Sequence, residues 1–281
     1  MNALYLSAII LGISMQDVVR KLYNKRTNGG VYLFGALTAI SALGFFLAVS
    51  GGVSFDPKVL PYSCLFALAY CSGTVFSLLA IKWGSLSLTT LIISFSLLLP
   101  TLYGVVYLKE SVGFGFFIGL GLLIVSLVLI SGKSDRVKLS LKWVLAVLLA
   151  FLSNGACTII QKMQQVRFEG EYKSELMIFT LCIVAVFMLV MMLVKERGEI
   201  REAARRGAVF ALLCGVFNGL VNLFVMILSG RMNSSVMFPL VSGGGIILTY
   251  FVSRFIFKET LSKRQLTGLL FGIASVVFLN L

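Results

Sequence analysis

The feature that most restricts the fold of this chain is a succession of long apolar runs, separated from one another by short polar connections. A run of about 20 apolar residues can cross the hydrocarbon core of a bilayer as an α-helix. The runs are continuous rather than alternating, which favours helices over the strands of a membrane barrel. Because lipid offers no hydrogen-bond partners, each run must satisfy its own backbone polar groups, as a helix does. The sequence therefore predicts an all-α membrane protein.

Composition supports the same interpretation. Hydrophobic residues make up 59% of the 281 positions and charged residues 12%, whereas a soluble domain carries about 25% charged residues. The first run lacks a preceding basic segment and a following cleavage site, so we expect a spanning helix there rather than a signal peptide. Ten transmembrane helices are predicted, at residues 3–22, 30–50, 60–81, 86–108, 113–131, 141–165, 175–195, 207–229, 234–257 and 263–280.

Several classes of function are disfavoured by what the chain lacks. The net charge of +13 comes from Lys and Arg in the short connections, where membrane topology places them, so no nucleic-acid partner is expected. There is no histidine, and the five cysteines lie in apolar runs without CxxC spacing, so we expect no metal site and no cofactor. No phosphate-binding glycine loop with a following Lys-Ser or Lys-Thr is present, which disfavours an ATP-driven pump, and no nucleophile–base pair indicates an enzyme.

The chain contains an internal repeat. A shift of 149 residues superposes the last three predicted helices of each half, and a shift of 141 brings Lys21 onto Lys162. Residues that match at the first shift include Ser85 with Ser234, Lys109-Glu110 with Lys258-Glu259, Gly119-Leu120 with Gly268-Leu269, and Ile124, Ser126 and Val128 with Ile273, Ser275 and Val277. We predict two halves, 1–134 and 135–281, with five helices each. Because five is odd, the second half enters the membrane from the opposite side, which gives an inverted repeat typical of secondary transporters that work by alternating access.

The distribution of basic residues predicts the orientation. With loops assigned alternately to two sides, the side of the first loop holds 18 Lys and Arg residues and the side of the termini holds 6 of the 24. The positive-inside rule then places both termini outside a plasma membrane, which we expect to be a bacterial inner membrane.

Ten helices in a five-plus-five arrangement, with Lys109-Glu110 and Lys258-Glu259 closing the fourth helix of each half, resemble the EamA-type branch of the drug/metabolite transporter superfamily. The Glu110…Gly119 and Glu259…Gly268 spacings extend this resemblance over both halves. It implies a central cavity lined by helices 1, 3, 4, 6, 8 and 9, with helices 5 and 10 at the periphery. It also implies export or exchange of amino acids, metabolites or drugs. The chain departs from the family where the first helix of each half carries no tryptophan, and family members are mostly drawn with both termini inside.

Polar residues within the predicted helices are the candidates for substrate binding, because polar side chains in a bilayer either join helices or line a cavity. Asp17, the acidic residue inside a predicted helix, forms a local ion pair with Arg20 and Lys21 or binds a cationic group or coupling proton, and both interpretations stay open. The complete candidate set is Gln16, Asp17, Tyr70, Tyr103, Asn154, Thr158, Asn218, Asn222, Ser242, Gly243, Gly244 and Tyr250.

Spacing groups several of these residues with polar or small neighbours outside the set. Asn154, Thr158 and Gln161 share one face of helix six, and Asn218 and Asn222 lie one turn apart on helix eight. Ser242-Gly243-Gly244-Gly245 follows Pro239 in helix nine and indicates either tight packing or an unwound stretch facing a site. Glu110 and Glu259 are interpreted as capping groups that orient the connections after their helices.

These observations predict a secondary transporter of small organic metabolites such as amino acids, with a small-molecule substrate, the lipid bilayer and a coupling ion or proton as its partners. A lipid or lipid-carrier flippase is the alternative, and an intramembrane enzyme is a weaker one, since such an enzyme should show acids or histidines clustered within the membrane. The sequence specifies neither the substrate nor the oligomeric state.

Overall fold

The computed structural model describes residues 2–27, 30–52, 56–83, 92–93, 95–130, 140–198, 200–257 and 263–278. Over this part of the chain ten α-helices have defined bounds, which confirms the all-α class. They are α1 (Asn2–Arg26), α2 (Val31–Val49), α3 (Leu60–Trp83), α4 (Leu98–Val106), α5 (Phe114–Ile130), α6 (Leu141–Arg167), α7 (Lys173–Lys195), α8 (Ile200–Ser229), α9 (Ser234–Phe257) and α10 (Lys263–Phe278).

Six of these helices are long and apolar enough, within the described residues, to cross a membrane: α1, α2, α3, α6, α7 and α8. Two 3₁₀ turns, Pro57–Val59 and Phe95–Leu97, precede α3 and α4. The protein is thus a multi-pass membrane protein.

The fourth predicted helix, 86–108, differs from what the structure shows. Ile92 and Ile93 are helical, the 3₁₀ turn Phe95–Leu97 follows, and α4 begins at Leu98, while residues 84–91 and 94 lie outside the described part. Pro100 accounts for the interruption before α4: it has no N–H, and its ring would clash with the carbonyl of Ser96 in a continuous α-helix. A proline is tolerated in the first turn of a helix, which is where Pro100 lies.

The start of the eighth helix also differs from the predicted position, because charged residues before 207 are helical. Ile200 onward is continuous with the membrane span, so α8 begins seven residues before the predicted position 207. Glu202 and Arg206 form an ion pair one turn apart on this helix, with a carboxylate–guanidinium distance of 3.2 Å.

The chain divides into two compact units. The first (unit 1) comprises residues 1–71 and 163–230, and the second (unit 2) comprises 72–162 and 231–281. Each unit takes a segment from both predicted halves. This division describes packing rather than topology, so the inverted repeat stays a prediction.

In unit 1, α8 packs against α1, α2 and α7. The contact with α2 is made by small and hydroxyl residues: Thr38 and Ser41 donate hydrogen bonds to the carbonyls of Ala211 and Leu212, at 3.2 and 2.7 Å. A Cβ at Gly215 would lie 2.5 Å from the Thr38 carbonyl oxygen, so only glycine permits this approach. Small residues and side chain–backbone bonds are how helices associate in lipid, where the hydrophobic effect gives no driving force.

The start of α2 is held by two residues from other segments. The carboxylate of Glu196, which follows α7, accepts hydrogen bonds from the backbone N–H groups of Tyr32 and Leu33, both at 3.0 Å. The hydroxyl of Tyr23, on α1, donates to the carbonyl of Gly30 at 2.6 Å. Burial raises the pKa of Tyr23 to about 12, and Glu196 adds to the rise while a hydrogen bond with Thr27 opposes it.

In unit 2, α5 packs against α10 and α9 packs against α4, α5 and α10. The Ser126 hydroxyl donates to the carbonyl of Gly268 at 2.7 Å, so two positions of the repeated motif meet across α5 and α10. The repeated residues Ser126 and Gly268 therefore contribute to helix packing. Elsewhere in this unit, a buried cluster of Ala80, Trp143, Ala146 and Val147 joins α3 to α6.

Candidate functional site

Three of the predicted binding residues meet in unit 1. The side-chain amide of Asn218, on α8, donates to the Gln16 side-chain oxygen on α1 at 3.3 Å. The Asn222 amide donates to both oxygens of Asn218, at 2.9 Å to the carbonyl and 3.2 Å to the side chain. Gln16 and Asn218 are buried, and Asn222 is half-buried. We call these three residues the amide cluster.

Residue counting along α8 places the amide cluster near the middle of the predicted span. Asn218 is eleven residues from both Gly207 and Ser229, which at 1.5 Å per residue is about 16 Å from either end of the predicted span. The hydrocarbon core is about 30 Å thick, so this depth is close to its centre. Burying an amide without a partner costs about 1–3 kcal/mol, which explains why these amides bond one another.

The chemistry of the cluster is neutral. Amides offer both hydrogen-bond donors and acceptors and carry no charge. Such a group can bind carboxylates, ammonium groups, hydroxyls or amides of a small solute. The side chain of Asp17, one position after Gln16, lies outside what the structure describes, so its two interpretations stay open. The Tyr250 side chain lies outside it as well.

The polar face of α6 lies in unit 2 and uses its groups locally. The amide of Asn154 donates to the Ser96 hydroxyl at 2.8 Å, in the 3₁₀ turn before α4. The Thr158 hydroxyl donates to the α6 carbonyls of Asn154 and Gly155, at 3.2 and 3.1 Å. Asn154 therefore joins two segments in this structure, and its role in binding a substrate stays a prediction.

The glycine segment of α9 is helical. The helix is continuous through Pro239, Ser242, Gly243 and Gly244, so the structure does not contain the unwound stretch that was one interpretation of these residues. Ser242 and Gly243 are buried and Gly244 is half-buried.

The two described candidate tyrosines make aromatic contacts. Tyr70 lies 6.2 Å from the Phe66 ring in unit 1, and Tyr103 stacks on Tyr107 at 5.1 Å in unit 2. Both rings are half-buried, so each keeps some surface beyond these contacts. A role of either ring in stacking on a substrate stays a prediction.

One polar centre in unit 2 was absent from the predicted set. The Glu110 carboxylate accepts hydrogen bonds from the backbone N–H groups of Ser234 and Ser235, both at 2.8 Å, at the start of α9. The ammonium group of Lys162, on α6, lies 3.8 Å from the same carboxylate and donates to the Met232 carbonyl at 2.8 Å. Lys162 is only 5% exposed. We call Glu110, Lys162 and the N–H groups of Ser234 and Ser235 the carboxylate clasp.

Glu110 is thus a cap, as expected, but the helix that it caps is far away in the sequence. A negative charge is stabilised at a helix N-terminus by the unpaired N–H groups and the helix dipole. The internal repeat indicates the residues of the carboxylate clasp, since Lys162 matches Lys21, Glu110 matches Glu259 and Ser234 matches Ser85. Glu259 and Ser85 lie outside the described residues.

Metal binding has no support in the described part of the chain. No group of three or more Cys, Asp or Glu side chains comes together there. Two open cavities lie at helix ends, away from the amide cluster. One, of about 460 Å³, is lined by Ser50 and residues 170–175, and the other, of about 660 Å³, by Gly198, Arg201, Glu202, Arg205 and Arg206.

Comparisons with known proteins agree with this architecture. Among solved structures, 29 chains match. One of them, titled only "Crystal structure of protein", aligns with a TM-score of 0.82 and 14% sequence identity, over 100% of this chain and 98% of its own. At that identity the likeness shows the fold alone. No curated protein matches.

The sequence itself matches a family. The model of the EamA-like transporter family covers residues 141–281, which is half of the chain. This family lies within the drug/metabolite transporter superfamily that the repeated Lys-Glu motifs resemble, and its members are membrane transporters of small solutes. The matched segment contains α6 to α10, and so Asn218, Asn222 and Lys162. The chain belongs to the EamA-like transporter family.

Proposed function

We propose that the protein is a secondary transporter that exports or exchanges small neutral or zwitterionic metabolites, such as amino acids. The observation that carries the proposal is the amide cluster of Gln16, Asn218 and Asn222, in a chain of a transporter family. Uncharged donors and acceptors at the middle of the membrane suit a solute whose own charges cancel, because no net charge then needs to be neutralised.

We also propose alternating access by two inverted repeats, 1–134 and 135–281. The internal match at a shift of 149 residues supports this arrangement, and so does the odd number of helices in each half. The proposed orientation, with both termini outside, rests on the 18 and 6 basic residues of the two sides. A reporter fused after Leu281 that is active only in the cytoplasm would reverse this orientation.

The experiment for substrate binding is a thermal-shift screen of the purified protein against amino acids and related metabolites. A ligand that binds only the folded state stabilises it by about 2.7 kcal/mol at a hundredfold excess over its Kd. We expect a zwitterionic metabolite to raise the unfolding midpoint, and the same compound to be taken up by proteoliposomes that contain the protein.

Matched variants connect the result to the site. Asn218→Ala and Asn222→Ala should lose the ligand-induced shift. Val221→Ala, which changes an apolar residue of the same helix interface, should lower the basal midpoint but retain the shift. If no metabolite stabilises the wild type while a lipid phosphate does, the metabolite proposal is wrong and the flippase alternative replaces it. If Val221→Ala and Asn218→Ala lose the shift equally, the amide cluster is not the binding site.

A further inference from the structure

One face of α8 changes its chemistry abruptly along the helix. Arg201, Glu202, Arg205 and Arg206 are exposed, and the next exposed residues of α8 are the apolar Val209, Leu212, Leu213 and Val216. At 3.6 residues per turn, these eight positions occupy an arc of about 140°. The opposite face, with Ala203, Gly207, Ala211 and Cys214, is buried in unit 1. The exposed face is therefore one continuous stripe, charged at one end and apolar below.

The change from charged to apolar residues along the exposed face of α8 marks the edge of the hydrocarbon core. Val209 is 67% exposed, which is favourable for a side chain that faces lipid and costly for one that faces water. Arg206 and Arg205 lie three and four residues before Val209, about 5 and 6 Å higher, and Arg201 lies about 12 Å higher, so this end of α8 enters the polar headgroup region. Exposed apolar residues at the end of α7, Leu193 and Val194, extend the lipid-facing surface.

The arginines also border a recess. A cavity of about 660 Å³ is lined by Gly198, Arg201, Glu202, Arg205 and Arg206. Glu202 pairs with Arg206, but no carboxylate of the described residues lies within ion-pair distance of Arg201 or Arg205, which are one turn apart. Glu196, the nearest described acidic residue before the recess, is engaged by the N–H groups of α2, and Glu199 lies outside the described residues.

We propose that this corner of α7 and α8 binds the headgroup of an anionic phospholipid. The guanidinium groups of Arg201 and Arg205 hold a phosphate, since arginine binds phosphate oxygens through paired N–H donors. The acyl chains lie along Val209, Leu212, Leu213 and Val216. This apolar continuation favours a lipid over a free phosphate, which would use the arginines alone. The site is separate from the amide cluster and does not depend on the identity of the transported solute.

The test is lipid binding to the full-length protein in detergent, measured by native mass spectrometry and by thermal shift. The probes are cardiolipin, phosphatidylcholine and inorganic phosphate. Cardiolipin should bind the wild type and raise its unfolding midpoint, whereas phosphatidylcholine and inorganic phosphate at equal concentration should not. Each basic residue near an anionic lipid surface contributes about 1 kcal/mol, so Arg201→Gln/Arg205→Gln should bind cardiolipin about 30-fold more weakly.

Two further variants make the test specific. Lys142→Gln/Arg264→Gln removes the same charge from exposed residues of the same predicted side, and it should bind cardiolipin like the wild type. Glu202→Gln, which releases Arg206 from its ion pair, should bind cardiolipin more tightly. Equal losses in both double variants would overturn the proposal, because only total charge would then matter. Inorganic phosphate that stabilises as well as cardiolipin would also overturn it, in favour of a site for a free anion.

Discussion

Replacing Glu110 by alanine tests the carboxylate clasp. In the wild type this carboxylate receives two backbone N–H groups at 2.8 Å from the start of α9 and faces the ammonium group of Lys162 at 3.8 Å. Gly104 leaves room for it, since a Cβ there would lie 2.5 Å from the carboxylate oxygen. The substitution therefore leaves two N–H groups without their acceptor and one buried ammonium group without its counter-charge.

The magnitude follows from these contacts. A hydrogen bond to a charged group contributes about 1.5–3 kcal/mol, and removing one partner of a buried ion pair costs about 3–5 kcal/mol. The contributions share one carboxylate and are not additive, so we expect Glu110→Ala to lower the free energy of unfolding by about 3–5 kcal/mol. Lys162→Met removes the cation but leaves Glu110 with both N–H donors, so its effect should be smaller, about 1–2 kcal/mol.

The assay is reversible denaturation in mixed micelles, applied to both single variants and to Glu110→Ala/Lys162→Met. Because the lysine is costly only when its counter-charge is missing, the double variant should be at least about 1 kcal/mol more stable than the sum of the single effects predicts. Ser111→Ala, at the exposed neighbouring position, is the control and should stay within about 0.5 kcal/mol of wild type. A loss below about 1 kcal/mol for Glu110→Ala, or strict additivity, would refute this account of the clasp.

Three other outcomes are expected from the contacts in unit 1. Glu196→Gln should destabilise by about 1–2 kcal/mol through the weakened cap of α2, and it should lower the pKa of Tyr23, because the carboxylate contributes to its rise. The pKa of Tyr23 is about 12 in the folded protein, and its ordinary value is 10. The contribution of Tyr23 to the free energy of unfolding is therefore complete below pH 10 and is lost as the pH rises from 10 to 12. Tyr23→Phe should remove this decline, of about 2–3 kcal/mol at most, from a pH titration of stability. Gly215→Ala should cost about 1–3 kcal/mol because the Cβ meets the backbone of α2, whereas Gly44→Ala, which meets nothing within 4 Å, should be neutral or stabilising in the same denaturation assay.

The helices could be predicted because the bilayer imposes their length. Nine of the ten predicted starts lie within seven residues of the observed ones, and α9 begins at Ser234 as predicted. The two larger differences have local causes. Pro100 interrupts the fourth predicted helix before α4. Hydropathy placed the start of α8 at 207, but the charged residues before it have good helix propensity and continue the helix.

The sequence predicts which polar residues of the candidate site share a face of one helix, but not which helices pack together. Spacing placed Asn218 and Asn222 on one face of α8, but Gln16 lies 202 residues from Asn218, and nothing in either helix specifies that α1 and α8 touch. The clasp was missed for the same reason. Glu110 was interpreted as a cap of the connection after its own helix, whereas it caps α9, whose Ser234 is 124 residues away in the sequence.

The cap on α2 has a consequence for the order in which the protein is made. The N–H groups of Tyr32 and Leu33 leave the ribosome early, and the carboxylate that will bind them is synthesised 164 and 163 residues later. Until then, the second membrane segment must keep this end hydrated or bonded to a temporary acceptor. The start of α2 therefore lacks its final cap while the chain is being synthesised. Nascent chains that stop before residue 196 should expose this end of α2 to hydrogen exchange even when the segment is already inserted.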